Sequence, residues 1–217
     1  MGKLILDISM SLDGFVAGPK PTLEEPLGLG GGWLHEWAFA TKAFRERHGL
    51  PDGESNVDSG LVEESIGNAA ATIMGRRMYS GGEGAWTDDP NADGWWGENP
   101  PFHHPVFVLT RHAREPMTMQ GGTTFTFVTD GIEAALEQAR AAAGGRDVVV
   151  GGGASAAQQY LRSGLLDELQ IHLVPVLLGD GTRLFDDNLA QGPGALQRTG
   201  IIESPSGTTH LSYRIVR

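Results

Sequence analysis

Between residues 106 and 178 short β-branched runs alternate with stretches of helical composition, and this alternation limits the possible folds more than any other feature. Residues 106–110, 124–128, 147–150 and 168–178 read as strands. Residues 131–143, with Asp130 as cap and Gly144 as stop, read as a helix, and a further helix follows Gly151-Gly152-Gly153 and ends near Gly164. Helices placed between strands act as crossovers, so the expected class is α/β with a largely parallel sheet covered on both faces.

The flanking segments extend the pattern. Residues 4–10 form an apolar run stopped by the turn dipeptide Asp13-Gly14, and residues 71–74 form another short strand. Leu34, Trp37, Ala38, Thr41 and Phe44 recur at helical spacing and predict one helix over 34–47. Asp58 or Ser59 is placed to cap a second helix running to Asn68. Residues 18–32, rich in Pro and Gly, read as a mobile loop, and residues 81–105 as a long irregular segment of the kind that often carries function. Residues 195–203 and 208–216, joined by Ser204-Pro205-Ser206-Gly207, predict an antiparallel hairpin. With no repeat and no linker, residues 1–217 read as one domain.

Composition removes several classes of function. Sixteen Lys and Arg against 27 Asp and Glu leave a formal charge of −11, which disfavours nonspecific contact with nucleic acid or an acidic membrane surface. The absence of cysteine excludes disulfides, thiolate zinc sites and a cysteine nucleophile. The start MGKLILDISMSLDG carries Asp7 inside its apolar run and reads as a strand, not a signal peptide. No run approaches the ~18 apolar residues of a membrane span. The cytoplasm is the expected location. No metal is expected at His103-His104, because adjacent side chains diverge on an extended segment and no third ligand is evident.

Three strand ends suit an anionic nucleotide. Gly151-Gly152-Gly153 would let a pyrophosphate touch the backbone at a helix N-terminus, where free amides and the helix dipole attract it; a tight strand-to-helix turn is the alternative reading. Gly75-Arg76-Arg77 sets two guanidinium groups at a helix start, and Thr110-Arg111-His112 sets a hydroxyl, a guanidinium and an imidazole beyond a strand. A solvated face is the competing reading for these arginines. Guanidinium pairs bidentately with phosphate, so the arginines favour NADPH, with its 2′-phosphate, over NADH.

Five motifs in order, residues 11–18 (SLDGFVAG), 73–79 (IMGRRMY), 106–111, 149–155 and 167–181, resemble the dihydrofolate-reductase-like superfamily. The likeness is to its branch related to the reductase domain of the bifunctional riboflavin-biosynthesis deaminase-reductase. The resemblance implies a three-layer fold with a central sheet of about eight strands, mostly parallel with an antiparallel C-terminal strand, binding NADPH across its carboxyl edge as a homodimer. It implies Gly75, Arg76 and Arg77 at the adenosine phosphates, Thr110 and Arg111 beside the 2′-phosphate, and Gly151 to Gly153, Ala154 and Ser155 around the pyrophosphate. Ser9 and Val16 would border the nicotinamide, and Asp13 would lie at the substrate site. Dihydrofolate reductases carry an acid on their first helix; the nearest counterpart here is Glu36. The zinc-binding deaminase half has no counterpart in the chain.

The expected activity is therefore hydride transfer to a small heterocyclic or carbonyl substrate, with Asp13 and then Glu36 as candidate proton donors. A turn role for Asp13 and a solvated role for Glu36 are the alternatives. Trp86, Trp95 and Trp96 could wall a planar substrate, form a local core or make a dimer contact. Two rivals stand beside this reading. One is a Rossmann dehydrogenase using Gly151-x-Gly153-x-x-Ala156, with Asp180 on the ribose; the other is a noncatalytic nucleotide-binding protein of the same fold.

Overall fold

The computed structural model describes residues 2–22, 24–185 and 194–216. Its strands are β1 Leu4–Ser11, β2 Phe15–Ala17, β3 Ala69–Gly75, β4 Pro105–Leu109, β5 Met117–Thr118, β6 Thr124–Val128, β7 Asp147–Gly152, β8 Glu168–Val174, β9 Thr182–Arg183, β10 Ala195–Glu203 and β11 Thr209–Val216. The helices are α1 Glu36–Phe39, α2 Lys42–Arg47, α3 Val57–Asn68, α4 Arg76–Ser80, α5 Gly131–Ala143 and α6 Ala154–Ser163. Nine strands form one sheet in the order β10-β11-β8-β1-β7-β3-β4-β6-β5. The six from β8 to β6 run parallel, while β11, β10 and β5 are antiparallel to their neighbours. The count of about eight rises to nine because Met117 and Thr118 add an edge strand beside β6.

Period-two alternation along β1 sorts its residues between two layers. Leu4, Leu6 and Ile8 enter the main core with Ala135, Leu136 and Ala139 of α5 and Ala157 and Tyr160 of α6. The opposite face carries Asp7, Ser9 and Ser11 beneath α1 and α3, where Leu34, Trp37 and Val174 pack with Val62. A separate aromatic core under the long irregular segment joins Tyr79, Phe125 and Phe127 to Trp86, Trp96 and Phe102.

Four local expectations need correction. The helix expected over 34–47 is a 3-10 turn at Gly31–His35 followed by two short helices. Residue 54 pins the break: the Glu54 amide donates to the Ala40 carbonyl and the Lys42 amide to the Glu54 carbonyl, so a tertiary contact overrides the helical stripe. Thr41 then caps α2, its hydroxyl accepting from the Phe44 amide. At α3 the cap is Asn56, whose side chain accepts from the Ser59 amide at 3.0 Å, while Asp58 turns inward and is fully buried. No side-chain cap bond forms at Asp130. β8 stops at Val174, before Pro175, which has no amide hydrogen for a ladder.

Residues 18–32, expected to be a mobile loop, hold no helix or strand before Gly31 among the described residues. Gly18 donates to the Leu27 carbonyl and Leu29 to the Pro19 carbonyl, folding the segment back on itself. A Cβ at Gly18 would strike the Leu29 carbonyl, so the close backbone approach requires glycine there.

Candidate active site

The neighbouring parallel strands β7, β3 and β4 bring the glycine turn, Gly75-Arg76-Arg77 and Thr110-Arg111 to one carboxyl edge, while Ser9 lies within β1 and Val16 on β2 of the smaller sheet. β7 ends in Gly151 and Gly152, and Gly153 is the N-cap of α6. Gly152 has φ +118°, which disfavours any side chain. Gly151 and Gly153 are different, because added Cβ atoms would come no closer than 3.6 and 4.0 Å to any protein atom beyond their chain neighbours. The protein therefore has room for alanine at both, and their glycines leave an open backbone surface. No side chain caps α6 and its first turn holds no acid, so the amides and dipole of its N-terminus remain available to an anion. A Cβ on Gly75 would lie 3.6 Å from the Gly153 nitrogen, which puts the second motif directly beside the first. Ala154 is partly buried and Ser155 exposed at the mouth of this turn.

The arginines divide by environment. Arg76 is buried, its Nη2 is 2.6 Å from Asp89 Oδ2, and its guanidinium carbon sits 3.5 Å from the Trp86 ring centroid. Its Nε and Nη1 are also buried and have no hydrogen-bond partner. Asp89 accepts from the Ser80 hydroxyl and the Asn91 amide; burial would raise its pKa, but these bonds and Arg76 together hold it below the usual carboxylate value. Arg77 is exposed and pairs with Glu83 at 2.6 Å. Thr110 follows β4 with its hydroxyl accepting from the His112 amide at 3.1 Å, and Arg111 is exposed beside it.

The tryptophans are mostly committed to the local core. Trp86 Nε1 donates to the His112 carbonyl, Trp95 Nε1 to the Met78 carbonyl, and Trp96 packs edge-on against Phe102. The first two contacts tie the long segment to the turn after β4 and to α4, and Trp86 covers Arg76.

At the other end of the edge, Asp13 clamps a turn. Its carboxylate accepts from the Ser11 hydroxyl at 2.6 Å and from the amides of Leu178 and Gly179. The Ser11 bond chiefly, and the two amides with it, hold the Asp13 pKa below its ordinary value, which keeps it an acceptor. Glu36 is exposed at the start of α1. Val16 is buried in the main core, and Ser9 accepts from Trp37 Nε1 at 3.0 Å.

One cluster escaped the sequence reading. Asp7, His172, His210 and Asp58 make a continuous chain of contacts on the face of β1, β8 and β11 beneath Trp37. The inward alternation of Asp7 within an apolar strand was the one available signal. His35 stands nearby, its pKa pushed down to about 4 by burial and then by His172. Elsewhere, His103 is exposed while His104 turns inward to Thr72 Oγ1 at 2.7 Å, so the two rings do diverge. Asp180 accepts from the Gly181 amide next to it. A depression of about 810 Å³ between α2, α3 and residues 99–103 shares no residue with the glycine edge.

Comparison with known proteins bears on this geometry. The chain resembles a protein described as a putative riboflavin biosynthesis protein from Shewanella sp. PV-4, with 23% identity, 99% of each chain covered and a TM-score of 0.63. It resembles a pyrimidine reductase-like protein from Corynebacterium diphtheriae at 13% identity, covering 100% of this chain and 92% of that one, with a TM-score of 0.59. It also resembles dihydrofolate reductase from Enterococcus faecalis complexed with NADP(H), at 12% identity, 98% and 96% coverage and a TM-score of 0.50. No curated protein matches the chain. The fold is thus dihydrofolate-reductase-like, which replaces the Rossmann alternative. Residues 2–209 match the RibD C-terminal domain, and the chain belongs to that family.

Proposed function

We propose that this chain is an NADPH-dependent reductase, acting as one domain on a small heterocyclic or carbonyl substrate. Family membership supports an oxidoreductase of this fold. The observation that carries the cofactor reading is the pair Gly151 and Gly153, glycines that no neighbouring protein atom requires, at an uncapped helix N-terminus. The buried, unpartnered Nε and Nη1 of Arg76 add donors suited to phosphate oxygens. The residues present therefore fit a dinucleotide: Gly151 to Ser155 for the pyrophosphate, Gly75, Arg76 and Arg77 for the adenosine phosphates, and Thr110 and Arg111 for the 2′-phosphate.

When bound, NADPH supplies the hydride. The protein's part is to fix distance and exclude water, with Ser9 and Val16 bordering the reactive ring. Asp13, held deprotonated by its turn, serves better as a hydrogen-bond acceptor for substrate than as an acid. The cytoplasm fits a user of NADPH. Neither nucleic acid nor membrane is proposed as a partner. No described helix is long and apolar enough to cross a membrane. A homodimer is proposed through β10, where Leu196, Ile201 and Ile202 are exposed.

The test is parallel titration with NADPH and NADH followed by tryptophan fluorescence, then a screen of pyrimidinones, pteridines and small carbonyl compounds for NADPH oxidation. NADPH is expected to bind at least ~10-fold more tightly, a difference of about 1.4 kcal/mol, and substitution of the exposed Arg111 by alanine (Arg111→Ala) to remove that preference. Failure to bind either cofactor overturns the reading. Tight NADPH binding with no turnover across the screen would favour a noncatalytic NADP-binding protein.

A further inference from the structure

Asp13 and Glu36 leave the reduction without a suited proton donor, and the chain beneath Trp37 offers one. Ser65 Oγ donates to Asp7 Oδ2 at 2.6 Å, and Asp7 Oδ1 meets His172 Nε2 at 2.8 Å. His172 Nδ1 meets His210 Nδ1 at 2.7 Å, and His210 Nε2 meets Asp58 Oδ1 at 2.8 Å. Strand register builds this line, because Ser9 and His172 are paired across β1 and β8, and His172 and His210 across β8 and β11.

Proton arithmetic follows from these contacts. The three between Asp7, His172, His210 and Asp58 each join two atoms that repel as lone pairs unless one proton lies between them. Two neutral imidazoles bring two protons, so the third contact requires one more. It makes the histidine pair a monocation between two carboxylates, or equivalently protonates one aspartate. Burial strengthens the requirement: the side chains of His210 and Asp58 are 4% and 1% exposed, and Asp58 Oδ2 has no hydrogen-bond partner. Access is greater at the opposite end, where the side chains of His172 and Asp7 are 10% and 16% exposed. The chain is closed at Asp58 and opens at Asp7, which follows Leu6, the partner of Val150 just before the glycine turn.

We propose that Asp7, His172, His210 and Asp58 store one excess proton and deliver it through the Asp7 carboxyl to the heteroatom of the substrate bond being reduced. This proposal rests on the reductase reading for its recipient. At rest Asp7 is ionised: burial would raise its pKa, but His172 and Ser65 hold it below the usual carboxylate value. In delivery the one proton of the Asp7–His172 contact passes from His172 Nε2 to Asp7, leaving His172 neutral, and the Asp7 O–H bond breaks as the new heteroatom–H bond forms. Solvent then restores the missing proton to the chain. Asp7 is the donor; His172, His210 and Asp58 are positioning residues that act through it. The titratable groups facing the chain are His35 from the 3-10 turn, Asp58 from α3, Asp7 from β1, His172 from β8 and His210 from β11. Ser65 and Trp37 complete the enclosure.

Nitrogen NMR of histidine-labelled protein counts the ring protons directly. At neutral pH the His172 and His210 rings and their two carboxylates are expected to share three protons, and Asp58→Asn, nearly isosteric, to lower that count to two. Two neutral rings facing two ionised carboxylates in the wild type overturn the proposal, whatever the fate of the reductase reading. NADPH titration is expected to be unchanged in Asp7→Asn and Asp58→Asn. With an acceptor from the screen, Asp7→Asn should slow reduction roughly 100-fold, and Asp58→Asn should shift the limb of the pH–rate profile on which the donor loses its proton. Wild-type rates and profiles in both variants overturn delivery. If NADPH fails to bind the wild type, the reductase reading and the delivery step fall together, while the proton count still decides whether the store exists.

Discussion

Gly153→Ala separates a nucleotide cradle from a simple turn. Gly153 has φ −67° and ψ −176°, angles open to alanine, and beyond its chain neighbours the nearest atom to an added Cβ is Met78 Cβ at 4.0 Å. Two opposing terms set the stability change. Alanine restricts the unfolded chain and stabilises by about 0.4–1 kcal/mol, while it is a poorer N-cap than glycine by about 0.5–1 kcal/mol. The net should fall within roughly 0.5 kcal/mol of zero, which shifts the Tm of a chain this size by only about 1–2 °C. Affinity for NADPH behaves differently, because a methyl group on the open face holds the pyrophosphate off the α6 amides. A loss of at least ~10-fold in Kd, about 1.4 kcal/mol, is expected by calorimetric or fluorescence titration. Unchanged melting with unchanged NADPH affinity would refute the reasoning and return the glycines to the role of a turn. Gly152→Ala is the control: at φ +118° it strains the backbone by about 1–3 kcal/mol and should lower the Tm whether or not a nucleotide binds.

Three further outcomes follow from the surrounding structure. Asp89→Asn leaves the Arg76 guanidinium charged and unpaired under Trp86, with side chains only 2% and 6% exposed in the native pair. Chemical denaturation should show a loss of about 3–5 kcal/mol, and a loss under ~1 kcal/mol would mean that solvent reaches the pair. His104 is pushed down to about 4 by burial and then by Arg47, Arg146 and His103. It stays neutral in the native state while the unfolded state takes up a proton below about pH 6.5, so stability should fall as pH drops from about 7.5 to 5, by at most about 2 kcal/mol from this group. His104→Phe should flatten that slope relative to the wild type. The exposed apolar side chains of β10 predict twice the chain mass in light scattering and a shift toward monomer in Ile201→Lys; a wild-type monomer at high concentration would remove the dimer proposal.

What the sequence made legible was local, and what it hid was distant. The glycine turn, Gly75-Arg76-Arg77 and Thr110-Arg111 each announce themselves within a few residues, and a parallel sheet brings such strand ends to one edge whatever its remaining details. Helix α5 and strand β6 matched their periodicity residue for residue, since their burial follows from one repeating face. The helix expected over 34–47 failed because Glu54 competes for the backbone of Ala40 and Lys42, a contact with no local signature. Asp58 misled for a related reason: an acid at a helix start looks like a cap, yet its partner is His210, 152 residues away. Asp7 and His172 are separated by 165 residues, and only the strand order β11-β8-β1 makes them neighbours. An isolated polar residue on a buried strand face is costly to leave unpaired, so Asp7, inside an apolar strand, implied a missing partner before the fold was known. The sheet order supplied the pairing, and with it a place for a proton that no local motif could have described.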